Sequence, residues 1–263
     1  MKRENDHLRL VKKRTGQPGW KRGLRFICRL VIIAALILLL RQGETYFRVN
    51  DIRVEGALEL SSAEIIAATG IRKGTSIFML KEQTIAGRIQ EQLPRVKKVE
   101  LTRSLPDTVI VNIDERIPAG YVMTADGFWL IDSDAVCFAY HAEPVEDYPY
   151  ISGIDSKLVI PGAPLDCRFR REALQSFFAA WQASGWLEIK QIDLSDNYNL
   201  IIYTAEELEI WLGEGKDMEY KLTLVQQSIP HITVEAGTRL DVRSGNRLVV
   251  SSSAVEKEKE VEP

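Results

Sequence analysis

The chain has 263 residues, of which 45% are hydrophobic and 27% charged, so it can pack one or two domains, and a wholly disordered chain is excluded. Its formal net charge is −3, but residues 1–29 hold ten Lys and Arg against two acidic residues, an excess of +8 that leaves −11 for the remainder. An acidic body is a poor nucleic-acid binder, and the basic start lacks the motif context of a specific one.

Residues 24–40 are mostly apolar and would reach roughly 26 Å as a helix, near the hydrocarbon thickness of a bilayer. The expectation is a spanning helix over 24–41, with a basic tail over 1–23 held in the cytoplasm by the positive-inside bias and nearly all the mass outside. No small-x-small cleavage site follows Leu40, so the segment reads as an uncleaved signal anchor. Cys28 falls within it. Cys137 and Cys167 are read as separate buried thiols, with a disulfide between them left open.

Beyond the anchor, residues 47–55 have the β-branched content of a strand that ends at Gly56. Ser61 and Glu64 form a capping-box pattern, and Gly70 supplies a left-handed stop, so a short helix lies between them. Ile85, Ile89 and Leu93 repeat every four residues from Lys81 until Pro94, which predicts a second helix. The period then changes to two: Val99 and Leu101, a turn at residues 104–107, then Val109, Val111 and Ile113 predict a β-hairpin. Glu115 and Arg116 read as an exposed ion-pairing couple at its end. A β-α-α-β-β unit over 46–121 is an α+β module.

The second unit, 122–251, is expected to be mostly β with flanking helices. Two strand pieces surround a turn at Asp132 and Asp134, whose side chains cap it. Leu174, Phe177, Phe178 and Trp181 mark the core face of a helix over 168–183. Strands follow over 189–194, 200–204 and 208–212, then a helix over 216–227 and strand material over 239–243 and 247–251. Residues 252–263 read as a charged, solvated tail.

Several of these residues resemble a known family. The runs Phe47-Arg-Val, Ile52-Arg-Val-Glu-Gly56, Leu93-Pro-Arg-Val96, Arg103-Ser-Leu-Pro106 and Glu115-Arg-Ile-Pro-Ala119 are similar to the POTRA domain of the FtsQ/DivIB bacterial cell-division proteins. The set Pro94, Arg103, Pro106, Glu115, Arg116 and Pro118 carries the motif, and Leu240-Asp-Val-Arg243 with its following strand looks like the end of that family's β-domain. The resemblance implies a division scaffold that binds the bitopic proteins FtsB/DivIC and FtsL and helps recruit and regulate septal peptidoglycan synthesis. It also implies a single-pass (type II) protein of the cell membrane at the division septum, with its C-terminus outside.

No catalytic machinery is legible. His141 and His231 are far apart and in no metal motif, and no Ser-x-x-Lys, Gly-x-Ser-x-Gly or phosphate-cradling loop occurs beyond the anchor. No cofactor, metal, nucleic-acid or small-molecule substrate is therefore expected. The alternatives are a POTRA-bearing assembly or secretion component and an exported cell-wall enzyme. The expected partner surface is the C-terminal strand, open to β-strand addition through Asp241, Val242, Arg243, Ser244, Leu248, Val249 and Val250. Arg243 is the expected anchor for a partner carboxylate.

Overall fold

The computed structural model describes residues 19–155, 157, 159–167, 170–235 and 237–252. Most of the basic tail, and the charged tail from residue 253, lie outside the described residues.

A helix, α1, does form over Gly19–Tyr46. Among the described residues, however, no helix is long and apolar enough to cross a membrane. The sequence supplies a physical reason: Arg25 and Arg29 on one side and Arg41 on the other leave residues 30–40 as the uninterrupted apolar run. That run would rise only about 16 Å, roughly half of a bilayer's hydrocarbon core. This corrects the expected spanning anchor at 24–41, and with it the single-pass type II topology and the cell-membrane location with an outside C-terminus.

The first folded unit orders as β1 (Asp51–Glu55), α2 (Ser62–Thr69), a 3-10 turn (Ile77–Met79), α3 (Glu82–Gln92), β2 (Val96–Ser104) and β3 (Thr108–Glu115). The expected capping box forms: Ser61 Oγ accepts from the Glu64 amide at 3.3 Å, and Glu64 accepts from the Ser61 amide at 3.0 Å. Gly70 ends α2 with φ +62°. β2 and β3 make the predicted antiparallel hairpin, while β1 joins the far side of β3 in parallel, Ile52 beside Val109. Gly56 is required where β1 ends, because at φ +81° a Cβ would lie 2.3 Å from the Ile113 carbonyl oxygen. The two helices cover one face, burying Ile65, Ile85 and Ile89 against Val99, Val109 and Val111.

The second unit is a nine-stranded sheet in the order β12-β11-β10-β9-β8-β7-β4-β5-β6. Its strands are β4 (Gly120–Thr124), β5 (Gly127–Ile131), β6 (Cys137–His141), β7 (Tyr150–Ser152), β8 (Ile189–Asp193), β9 (Leu200–Thr204), β10 (Glu209–Gly213), β11 (Thr238–Asp241) and β12 (Val249–Ser252). α4 (Arg170–Ser184) links β7 to its parallel neighbour β8, and α5 (Met218–Ser228) links β10 to its parallel neighbour β11. The aromatic stripe of α4 is a core face as expected: Phe177 and Phe178 pack with Leu222 and Val225 of α5 and with Ile151, Ile192, Ile202 and Leu240 of the sheet. The fold is therefore an α+β POTRA-like region followed by a mostly β unit.

Cys137 and Cys167 are free and fully buried. Burial pushes the Cys137 thiol up to about 12 and raises that of Cys167, so neither is a ready nucleophile at neutral pH.

Candidate functional site

Two places collect the residues singled out in the sequence. The first is the joint between the units. Pro94 follows α3, and its carbonyl accepts the Arg116 Nε at 3.1 Å. Arg116 Nη1 also donates to Asp132 Oδ2, while Asp132 Oδ1 accepts the amides of Asp134 at 3.0 Å and Val136 at 2.9 Å. The turn-capping role expected of Asp132 is thus present, with an ion pair across the joint added to it. Lys97 reaches Asp134 at 2.8 Å, and Arg95 lies over the Phe138 ring at 5.3 Å.

Glu115 is not the exposed partner of Arg116 that its position suggested. It is 5% exposed, and its carboxylate accepts the amides of Leu58, Glu59 and Leu60 at 2.8 to 3.2 Å, tying the loop after β1 to the end of β3. Arg103 donates to the carbonyls of Ile77 and Leu80 at 3.1 and 2.8 Å, locking the 3-10 turn to the hairpin. Pro106 sits in the hairpin turn, and Pro118 is half-buried in the segment that enters β4. Of the motif residues, Glu115, Arg103, Arg116 and the Pro94 carbonyl are therefore fastenings of the fold.

The second place is the open edge of the nine-stranded sheet. β12 pairs antiparallel with β11, Val249 beside Asp241 and Val250 beside Leu240. It ends the strand order, so one of its two rows of backbone groups has no strand partner among the described residues. Val249 is 57% and Val250 43% exposed, and Ser244 is exposed in the turn before them. Leu248 packs partly on the core. Val242 is fully buried, so it supports the edge from beneath and offers a partner no side-chain contact.

Arg243 is already engaged within the chain. Its Nε donates to both Asp241 oxygens at 3.0 Å, and its Nη2 to Oδ2 at 2.6 Å. The Arg243 guanidinium holds the Asp241 carboxyl below its usual range, and Asp241 raises Arg243 in turn. Both Arg243 and Arg239 lie over the Trp211 ring, at 4.4 and 4.5 Å from its centroid. Glu209 completes the group by accepting the Trp211 Nε1 at 2.6 Å and the Arg239 Nε at 3.3 Å.

An indole with two guanidinium groups packed on it gives this edge an amphipathic flank. Trp211, Arg239 and Glu209 were not legible as site residues. The available signal was the period of two on β10, which sends Ile210 and Leu212 inward and Glu209 and Trp211 outward.

Among the described residues no group of three or more His, Cys, Asp or Glu is placed to hold a metal ion.

Comparison with known proteins follows these two regions. Residues 47–116 match the profile of the POTRA domain, FtsQ-type, and residues 120–243 match that of the cell division protein FtsQ/DivIB, C-terminal. The chain is 30% identical over 239 residues to the cell division protein FtsQ of Chloroflexus aurantiacus, covering 87% of this chain and 86% of that one. It is 26% identical over 216 residues to FtsQ of Syntrophotalea carbinolica, covering 80% and 76% of the two chains. It is 25% identical over 224 residues to the cell division protein DivIB of Clostridium acetobutylicum, covering 84% and 87%.

Proposed function

The chain belongs to the FtsQ/DivIB family of bacterial cell-division proteins, and from that premise we propose that it binds FtsB/DivIC-type and FtsL-type division proteins by strand addition at β12. Proteins of this family are scaffolds, and this chain is a scaffold, not an enzyme. Through those contacts it helps recruit and regulate septal peptidoglycan synthesis.

The observation that supports the reading is the exposed edge strand, with Val249 on the outward face that carries Asp241 and Trp211, and Val250 on the other face, beside Leu240 and still 43% exposed. Backbone amides and carbonyls on β12 supply affinity to an incoming strand, and the flanking side chains supply selectivity. Arg243 keeps its role as polar anchor in a modified form: a partner carboxylate would share or displace Asp241, so the pair serves as a preset, oriented donor. In this reading the 46–121 and 122–251 units divide the work, the β unit holding the strand-addition edge and the POTRA unit joined to it through Arg116 and Asp132.

Depletion in growing cells tests the proposal. Septation should fail and the later division proteins should no longer gather at the division site. Normal septation with normal recruitment would end the scaffold reading.

A further inference from the structure

Two groups of cations stand out in the POTRA unit, beside Arg48 and Arg103, which donate to backbone carbonyls. Arg53, Arg95, Lys97, Lys98 and Arg116 each sit in an ion pair with a carboxylate. Arg72, Lys73, Lys81 and Arg88 are in none of the ion pairs among the described residues: Arg72 and Lys73 follow α2, Lys81 is the N-cap of α3, and Arg88 lies within α3, its Nη1 donating to the neutral Thr69 carbonyl at 3.0 Å. Three of them line a groove of about 290 Å³ with an apolar floor of Ile71, Leu80 and Ile85 and no acidic residue in its wall. The nearby carboxylate of Glu82 turns away, accepting the Leu101 amide at 3.3 Å.

The lip of the groove is unusual in a second way. Met79, in the groove wall, is 77% exposed on the 3-10 turn, and Phe78 before it is 62% exposed with its ring against Phe47 at 5.4 Å. They are not loose side chains on a loose loop. Ile77 beside them is fully buried, its amide donates to the Phe47 carbonyl at 3.0 Å, and Arg103 grips the carbonyls on both sides of the pair. The fold therefore holds Met79 in solvent beside cations in no ion pair among the described residues, a combination expected of an interaction surface.

We propose that this groove is a docking site for an acidic amphipathic helix of another protein. The helix would set an apolar row on Met79 and Ile71, and its flanking carboxylates on Arg72, Lys81 and Arg88. Charge complementarity selects an acidic occupant, and the concave apolar floor selects one with anchoring side chains over a purely charged chain. The site is in the other unit from β12 and stands whether or not strand addition occurs there.

The test uses the full chain and a labelled helical peptide of about 15 residues, with Leu on one face and Glu on its flanks, read by fluorescence anisotropy. It should bind roughly 10-fold or more tighter than a counterpart with Lys for Glu or one with Ser for Leu, and should weaken as salt rises from about 50 to 300 mM. Arg72→Glu with Lys81→Glu, and separately Met79→Ser, should each weaken it about 10-fold. All three positions belong to the groove wall, and unchanged circular dichroism would confirm the fold is retained. Equal binding of the Glu and Lys peptides, or no change in either variant, would overturn the proposal. So would a lipid target: no peptide binding, with phosphatidylglycerol vesicles captured by the native chain and released by the Arg72→Glu, Lys81→Glu variant.

Discussion

Arg116→Ala should lower the unfolding free energy by about 3 kcal/mol or more, because removing one member of a buried ion pair leaves the other charge without compensation. Asp132 is 2% exposed and would keep its two amide donors while losing its counter-charge, and the Pro94 carbonyl would lose the Nε donor. The cost falls on the joint, since Arg116 leaves the POTRA hairpin and Asp132 belongs to the β5–β6 turn. Arg116→Lys should recover only part of the loss, because an ammonium cannot reach both acceptors with the fixed geometry of a guanidinium. Equilibrium urea denaturation measures both. A loss below about 1 kcal/mol for the alanine variant would place the pair among exposed ion pairs of little consequence.

The other large effect concerns β12. Consecutive amides on an edge strand point to opposite sides, so of Val249→Pro and Val250→Pro one removes an N–H bonded to β11 and the other removes an N–H offered outward. The first should destabilise the sheet edge. The second should leave the fold intact and weaken an FtsB/DivIC-type partner by roughly 30-fold, about 2 kcal/mol, since the partner's carbonyl is left buried without a donor. Isothermal titration of each variant, with circular dichroism beside it, separates the two. Native affinity in both variants would move the partner surface away from β12.

Local patterns were legible in the sequence and long-range choices were not. Ser61, Glu64 and Gly70 fixed α2 because capping is decided within one turn of chain. The period-two residues flanking residues 104–107 fixed the β2–β3 hairpin for the same reason. By contrast, β1 pairing in parallel with β3, and β7 and β10 gaining parallel neighbours across α4 and α5, depend on partners far away in the chain. Glu115 shows the difference in one residue. Its sequence neighbours suggested an exposed couple with Arg116, whereas its amide donors lie 55 to 57 residues earlier.

The candidate site divides in the same way. Val249 and Val250 could be placed on an edge from their position after the last turn, but the clasp on Trp211 needed the register of β10 against β11, which sets Trp211 beside Asp241. The spanning helix failed for a physical reason already visible in the chain. The charges at Arg25, Arg29 and Arg41 cut the expected 24–41 span to an apolar run over 30–40.

Backbone hydrogen exchange reads most directly whether a partner strand completes the sheet at β12. With a saturating FtsB/DivIC-type partner, the outward amides of Val249–Ser252 should exchange much more slowly than in the chain alone. Unchanged exchange across Val249–Ser252, with protection gained elsewhere or nowhere, would contradict strand addition at β12.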